Sequence, residues 1–131
     1  PLVAAEVDGA VGQRFALDTG SEQMLVGASF ADANSGIVRR WTPDEFPRTN
    51  RSSLTLDFLE GSVAVVARRV TRIRVGPLTF KDWVVGLQID DDRDDAIPLP
   101  FDGIIGTEWL HHCELWFDYA DGRIAMLPER Q

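Results

Sequence analysis

Along most of this chain apolar residues recur at every second position in short runs, a period that suits strands and not helices. Leu54, Leu56 and Phe58 alternate cleanly, Glu60-Gly61 follows as a turn, and Val63 to Val75 returns as a long strand. This predicts a hairpin. Further strands are expected over Val3 to Val7, Arg14 to Leu17, Met24 to Val26 and Leu78 to Leu87, with turns at Asp8-Gly9 and Gly76-Pro77. Glu114 to Tyr119 and Arg123 to Leu127 read as a closing hairpin around Asp121-Gly122. The polar stretch from Asp32 to Asn50 carries Gly36, Pro43 and Pro47, and reads as loop with a short strand near Ile37 to Trp41. One helix is expected, Thr107 to about His112, with Thr107 as its N-cap. Asp90 to Asp95 is almost all acidic and reads as a solvated loop. Many short strands and one short helix predict a small, mostly antiparallel β fold.

Length and charge narrow the function. The 131 residues suffice for one domain, taken as 1–131, and 44% of them are hydrophobic, enough for a core. The net charge of −8 opposes a nucleic-acid partner, whose backbone demands a basic face. No apolar run approaches the roughly 18 residues of a membrane span, so this segment is expected to make no membrane contact. Cys113 is the sole cysteine, which excludes an internal disulfide and fits either redox compartment. The sequence starts at Pro1, as an excised or processed piece would, so targeting segments and compartment stay open.

The chemistry concentrates in Phe15-Ala16-Leu17-Asp18-Thr19-Gly20-Ser21, where an apolar strand runs straight into an acid, a hydroxyl and a glycine. A carboxylate at the end of a buried strand is costly unless something holds it. Gly20 permits a tight backbone, and Thr19 and Ser21 can donate hydrogen bonds near the acid. Asp-Thr-Gly is equally good turn chemistry, so the tripeptide alone decides nothing. A second segment, Asp102-Gly103-Ile104-Ile105-Gly106, leads into the short helix Thr107-Glu108-Trp109-Leu110, and one last hairpin follows.

Together the two segments resemble the retropepsin-like aspartic proteases over roughly Val3 to Leu127. In that family an apolar strand enters Asp-Thr-Gly or Asp-Ser-Gly, and two apolar residues and a glycine later lead into a short helix. The resemblance implies a small closed barrel-like acid protease fold and an aspartic endopeptidase. Its substrate would be extended, largely apolar peptide. Only one Asp-Thr-Gly is present, so the resemblance implies a homodimer with Asp18 from each copy facing one water. Two carboxylates about 3 Å apart cannot both ionise cheaply, so they share a proton. By the same resemblance Thr19 braces the two loops across the two-fold axis and Gly20 lets them approach. Ser21 orients the outer carboxylate oxygen, and Glu22 contacts substrate backbone. Phe101 and Ile104 line side-chain pockets. Leu59, Glu60, Gly61 and Ser62 form the tip of the flap over the peptide. No cofactor or metal is implied.

The chain departs from the viral members in two places. Thr107-Glu108 opens the helix where those enzymes have an arginine supporting the dimer, and the flap tip has only Gly61. His111-His112-Cys113 suggests a metal, but adjacent residues rarely converge on one ion, so these read as the helix end with Cys113 a small buried hydrophobe. Trp41, Trp83, Trp109 and Trp116 are expected in the core or an interface. No Gly-x-Ser-x-Gly elbow supports a serine hydrolase. Two other functions stay open: a non-proteolytic binding or dimerisation module with the same fold, and a self-processing domain.

Overall fold

The computed structural model describes residues 2–18, 20–58, 61–89 and 98–128. β1 (Leu2–Val7) and β2 (Ala10–Leu17) form the first hairpin. Asp8 and Gly9 turn the chain with φ of 50° and 90°, and the Asp8 carboxylate accepts from the Thr71 and Arg72 amides. β3 (Leu25–Val26) follows, then α1 (Ala28–Ala33), α2 (Ser35–Val38) and β4 (Thr42–Pro43). β5 (Ser53–Phe58) and β6 (Gly61–Val75) make the long hairpin, and β7 (Leu78–Gln88) returns beside β6. β8 (Gly103–Ile105), α3 (Thr107–Leu110), β9 (Cys113–Asp118) and β10 (Arg123–Pro128) complete the order.

The strands β1-β2-β8-β3-β7-β6 pair in sequence, and β6 pairs back onto β1 through Glu6↔Arg74 and Val7↔Ile73. The result is a closed six-stranded barrel, which leaves no free edge among those strands. β4 and β5 extend from β6, while β9 and β10 form a separate two-stranded sheet. The barrel fills with alternate side chains of its strands, among them Val7, Phe15, Val26, Val70, Ile73 and Val85. Phe15 and Phe30 meet edge to face at 5.5 Å. A second apolar cluster joins Leu25, Phe46, Val63, Val65 and Ile104, with Leu54, Leu56 and Phe58 packed against it.

Three expectations need correction. The segment read as loop and short strand opens on the end of α1 and contains α2, so Ile37 and Val38 are helical. These helices are too short to show a periodicity. They are fixed by tertiary contacts: buried Phe30, and the Ala28 amide donating to Gln88 Oε1. The N-cap of α3 is Gly106, not Thr107, and no side chain caps it. β2 also starts at Ala10, earlier than expected, because its first half pairs with β1. Trp41 and Trp109 are buried, Trp83 is half-buried and Trp116 is 60% exposed. Half-buried Cys113 packs against the core, and its thiol reaches the Leu110 carbonyl at 3.4 Å. Burial pushes that thiol up, away from reactivity. The acidic run Asp90 to Asp95 lies outside the described residues.

Candidate active site

β8 lies between β2 and β3, although β2 and β3 are near neighbours in sequence. It runs parallel to β2 through Phe15↔Gly103 and Leu17↔Ile105, and antiparallel to β3 through Leu25↔Ile104. The chain therefore crosses itself where β2 ends, and Asp18 is the first residue past that end. The Asp18 amide donates to the Ile105 carbonyl at 3.1 Å, so the crossing fixes its backbone. At the other end the Arg14 amide donates to Asp102 Oδ2 at 3.0 Å and the Asp102 amide to the Arg14 carbonyl at 2.9 Å.

The half-buried Asp18 turns its carboxylate back on its own loop, where Oδ1 accepts from the Gly20 amide at 2.8 Å. The Ser21 amide donates to the Asp18 carbonyl at 3.3 Å. Past that turn the loop lies on the start of α3. The Thr107 amide donates to the Ser21 carbonyl at 2.7 Å and the Glu108 amide to the Glu22 carbonyl at 2.9 Å. These amides have no partner inside the helix, so the loop satisfies them. Gly106 permits the approach: a Cβ there would stand 2.5 Å from the Ser21 carbonyl oxygen and 2.6 Å from that of Gln23.

The structure joins some of the expected site residues and separates others. Asp18, Gly20, Ser21 and Glu22 share one loop, and Thr19 lies outside the described residues. The Ser21 hydroxyl donates to the Gln23 carbonyl at 3.1 Å. Glu22 turns its side chain to Arg48 at 3.5 Å. Ile104 is only 3% exposed and sits in the second apolar cluster, the one that receives Leu54, Leu56 and Phe58 from β5. The β5–β6 hairpin thus lies against the Ile104 side of the crossing. Phe58 pairs with Gly61, whose φ of 152° suits glycine; Leu59 and Glu60 lie outside the described residues. Ser62 is buried. Half-buried Phe101 precedes β8, and because β8 parallels β2 it stands at the end away from Asp18.

Arg48, expected in a loop, Trp83, expected in the core or an interface, and Glu108 and His112, expected only in the helix, gather beside the Gly20–Gln23 loop. Burial and then Glu22 raise the Glu108 carboxyl above its ordinary range, against smaller opposing pulls from Arg48 and His112. α3 ends at Leu110, so no helical spacing ties Glu108 to His112, and no local pattern signals the grouping.

No protein-family model matches the chain, and no curated protein does. Solved structures do match. The chain is similar to a retropepsin-like aspartic protease from Rickettsia conorii, with a TM-score of 0.54, 14% identity, and 88% of this chain and 74% of that chain covered. It is also similar to the retroviral protease-like domain of Ddi1 from Leishmania major, with a TM-score of 0.56, 12% identity, and 95% and 85% covered. The fold is therefore retropepsin-like, mostly β around a closed barrel.

Proposed function

We propose that the chain is an aspartic endopeptidase, active as a homodimer on extended, largely apolar peptide. One observation carries the reading: the carboxylate of the chain's one Asp-Thr-Gly stands past the end of β2, its backbone fixed by β8 and its Oδ1 held by the Gly20 amide. A solvated turn has no need of such a scaffold. One carboxylate makes half of a water-activating pair, and a second copy related by a two-fold axis supplies the other.

In the pair, the ionised Asp18 takes a proton from the water as it attacks, and the protonated Asp18 donates to the scissile carbonyl oxygen. Gly20 lets the loops approach, Thr19 braces them, and Glu22 and the Ile104 side chain contact peptide. The β5–β6 hairpin with Gly61 closes as a flap and excludes water. The Ile104 pocket opens only when Leu54, Leu56 and Phe58 lift.

Assembly has its own support. Trp116, Phe117, Tyr119 and Leu127 are exposed on or beside the β9–β10 hairpin, Tyr119 to 87%. Exposed aromatic surface of that kind suits a protein partner, here a second copy. The test is cleavage of a denatured protein between pH 4 and 7, with and without a pepstatin-like inhibitor. Inhibitor-sensitive cleavage that disappears in a folded Asp18→Asn variant is the expected result. Undiminished cleavage by that variant would remove Asp18 from the mechanism.

A further inference from the structure

A cavity of about 610 Å³ opens beside the active-site loop. Glu22, Gln23, Arg48, Trp83, Glu108 and His112 are among the residues around it. We infer that this cavity is a specificity subsite for a basic side chain, arginine or lysine, on the peptide bound across Asp18. The inference rests on the peptidase reading.

The cavity's walls hold two carboxylates, Glu22 and Glu108, facing the guanidinium of Arg48 and the imidazoles of His111 and His112. Glu108 is the less compensated of the two, being half-buried and pressed by Glu22. A second cation would relieve both acids. Arg48 is a weak occupant: its contact with Glu22 is long, at 3.5 Å, and its side chain is 87% exposed, so displacing it costs little. Trp83 supplies an aromatic wall for a methylene stem or a guanidinium face. Gly20 and Ser21 also line the cavity, and they stand two and three residues after Asp18, so a peptide lying over Asp18 passes its mouth.

The opposing signs of two substitutions test this. N-acetyl-arginine amide and N-acetyl-norleucine amide are titrated into the intact Asp18→Asn chain and followed by NMR at the Trp83 indole and the Glu108 amide. The arginine probe should bind and the norleucine probe should not. Adding Glu108→Gln should weaken arginine binding about five- to tenfold, and adding Arg48→Ala should strengthen it. Equal binding of the two probes overturns the inference. So does indifference to both substitutions, or a cavity closed by the second copy. Turnover separates it from the reading beneath it. Peptide pairs differing only in arginine or norleucine are compared by kcat/KM in chains with Asp18 intact. Cleavage with the same ratio in wild type, Glu108→Gln and Arg48→Ala rejects the subsite and leaves the peptidase standing. Arginine-selective binding with no cleavage of any peptide keeps the cation site and rejects the peptidase.

Discussion

The β2–β8 crossing and the β9–β10 hairpin treat their apolar residues in opposite ways. At the crossing Phe15, Leu25, Ile104 and Ile105 are buried, and backbone hydrogen bonds tie Asp18, Ser21 and Glu22 to β8 and α3. The hairpin packs only one face inward. Leu115, Ile124 and Met126 meet the core, while Trp116 and Leu127 point the other way. One copy of the chain completes the crossing and leaves the hairpin half covered. A site whose scaffold is finished and whose surroundings are not fits chemistry that needs a second copy.

The largest expected effect breaks the finished half. Gly106→Ala drives a Cβ into the Ser21 and Gln23 carbonyls, which are backbone and cannot swing aside. It should cost about 1–3 kcal/mol in denaturant unfolding, as overpacking does. Peptidase activity should fall far more than stability, because the displaced segment carries Asp18. Activity that merely follows the fraction folded would show that the loop's position does not matter.

Changing the unfinished half should do the reverse. Trp116→Ser removes an exposed ring whose indole nitrogen donates to Glu114 at 3.0 Å. The stability of the single subunit should change by no more than about 0.5 kcal/mol. Sedimentation should show a weaker dimer, and specific activity should fall on dilution at higher concentrations than for wild type. A variant that dimerises as wild type does would move the interface elsewhere.

A smaller effect sharpens the boundary between the two regions, at α3. The folded state raises the Glu108 carboxyl through burial and Glu22, so it favours the neutral form. Such a group helps stability fully below its unfolded value, near the ordinary glutamate value of 4.5, and that help is lost as pH rises through the folded value. Glu108→Gln, neutral throughout, should therefore stabilise the chain at pH 7 and do little at pH 4. The gain should stay under about 1 kcal/mol because the group is half exposed to solvent. Thermal melts at the two pH values check this, and a larger gain at pH 4 would contradict it.

Much of this was legible in the sequence, and the remainder has physical causes. Period-two alternation located the strands with one buried and one solvated face, as in the Leu54, Leu56, Phe58 run of β5, whereas β8, buried at all three positions, shows no alternation and was not read as a strand. The pair Asp18-Thr19-Gly20 and Ile104-Ile105-Gly106 marked the crossing because both segments must be apolar up to the point where they meet. The helices α1 and α2 were not legible. Six and four residues are too few to show a stripe, and what fixes α1 is Phe30 against Phe15 and the Gln88 side chain of β7, the strand paired with β3. The Arg48–Glu22–Glu108 grouping joins three distant segments, so no local pattern announces it.

The most direct test of the central claim is the separation of the two Asp18 carboxylates in a crystal of the dimer. The account predicts a two-fold axis between the Asp18 loops, with the carboxylates about 3 Å apart over a shared water. A dimer in solution whose Asp18 residues lie on remote faces would contradict it, however well the barrel matched.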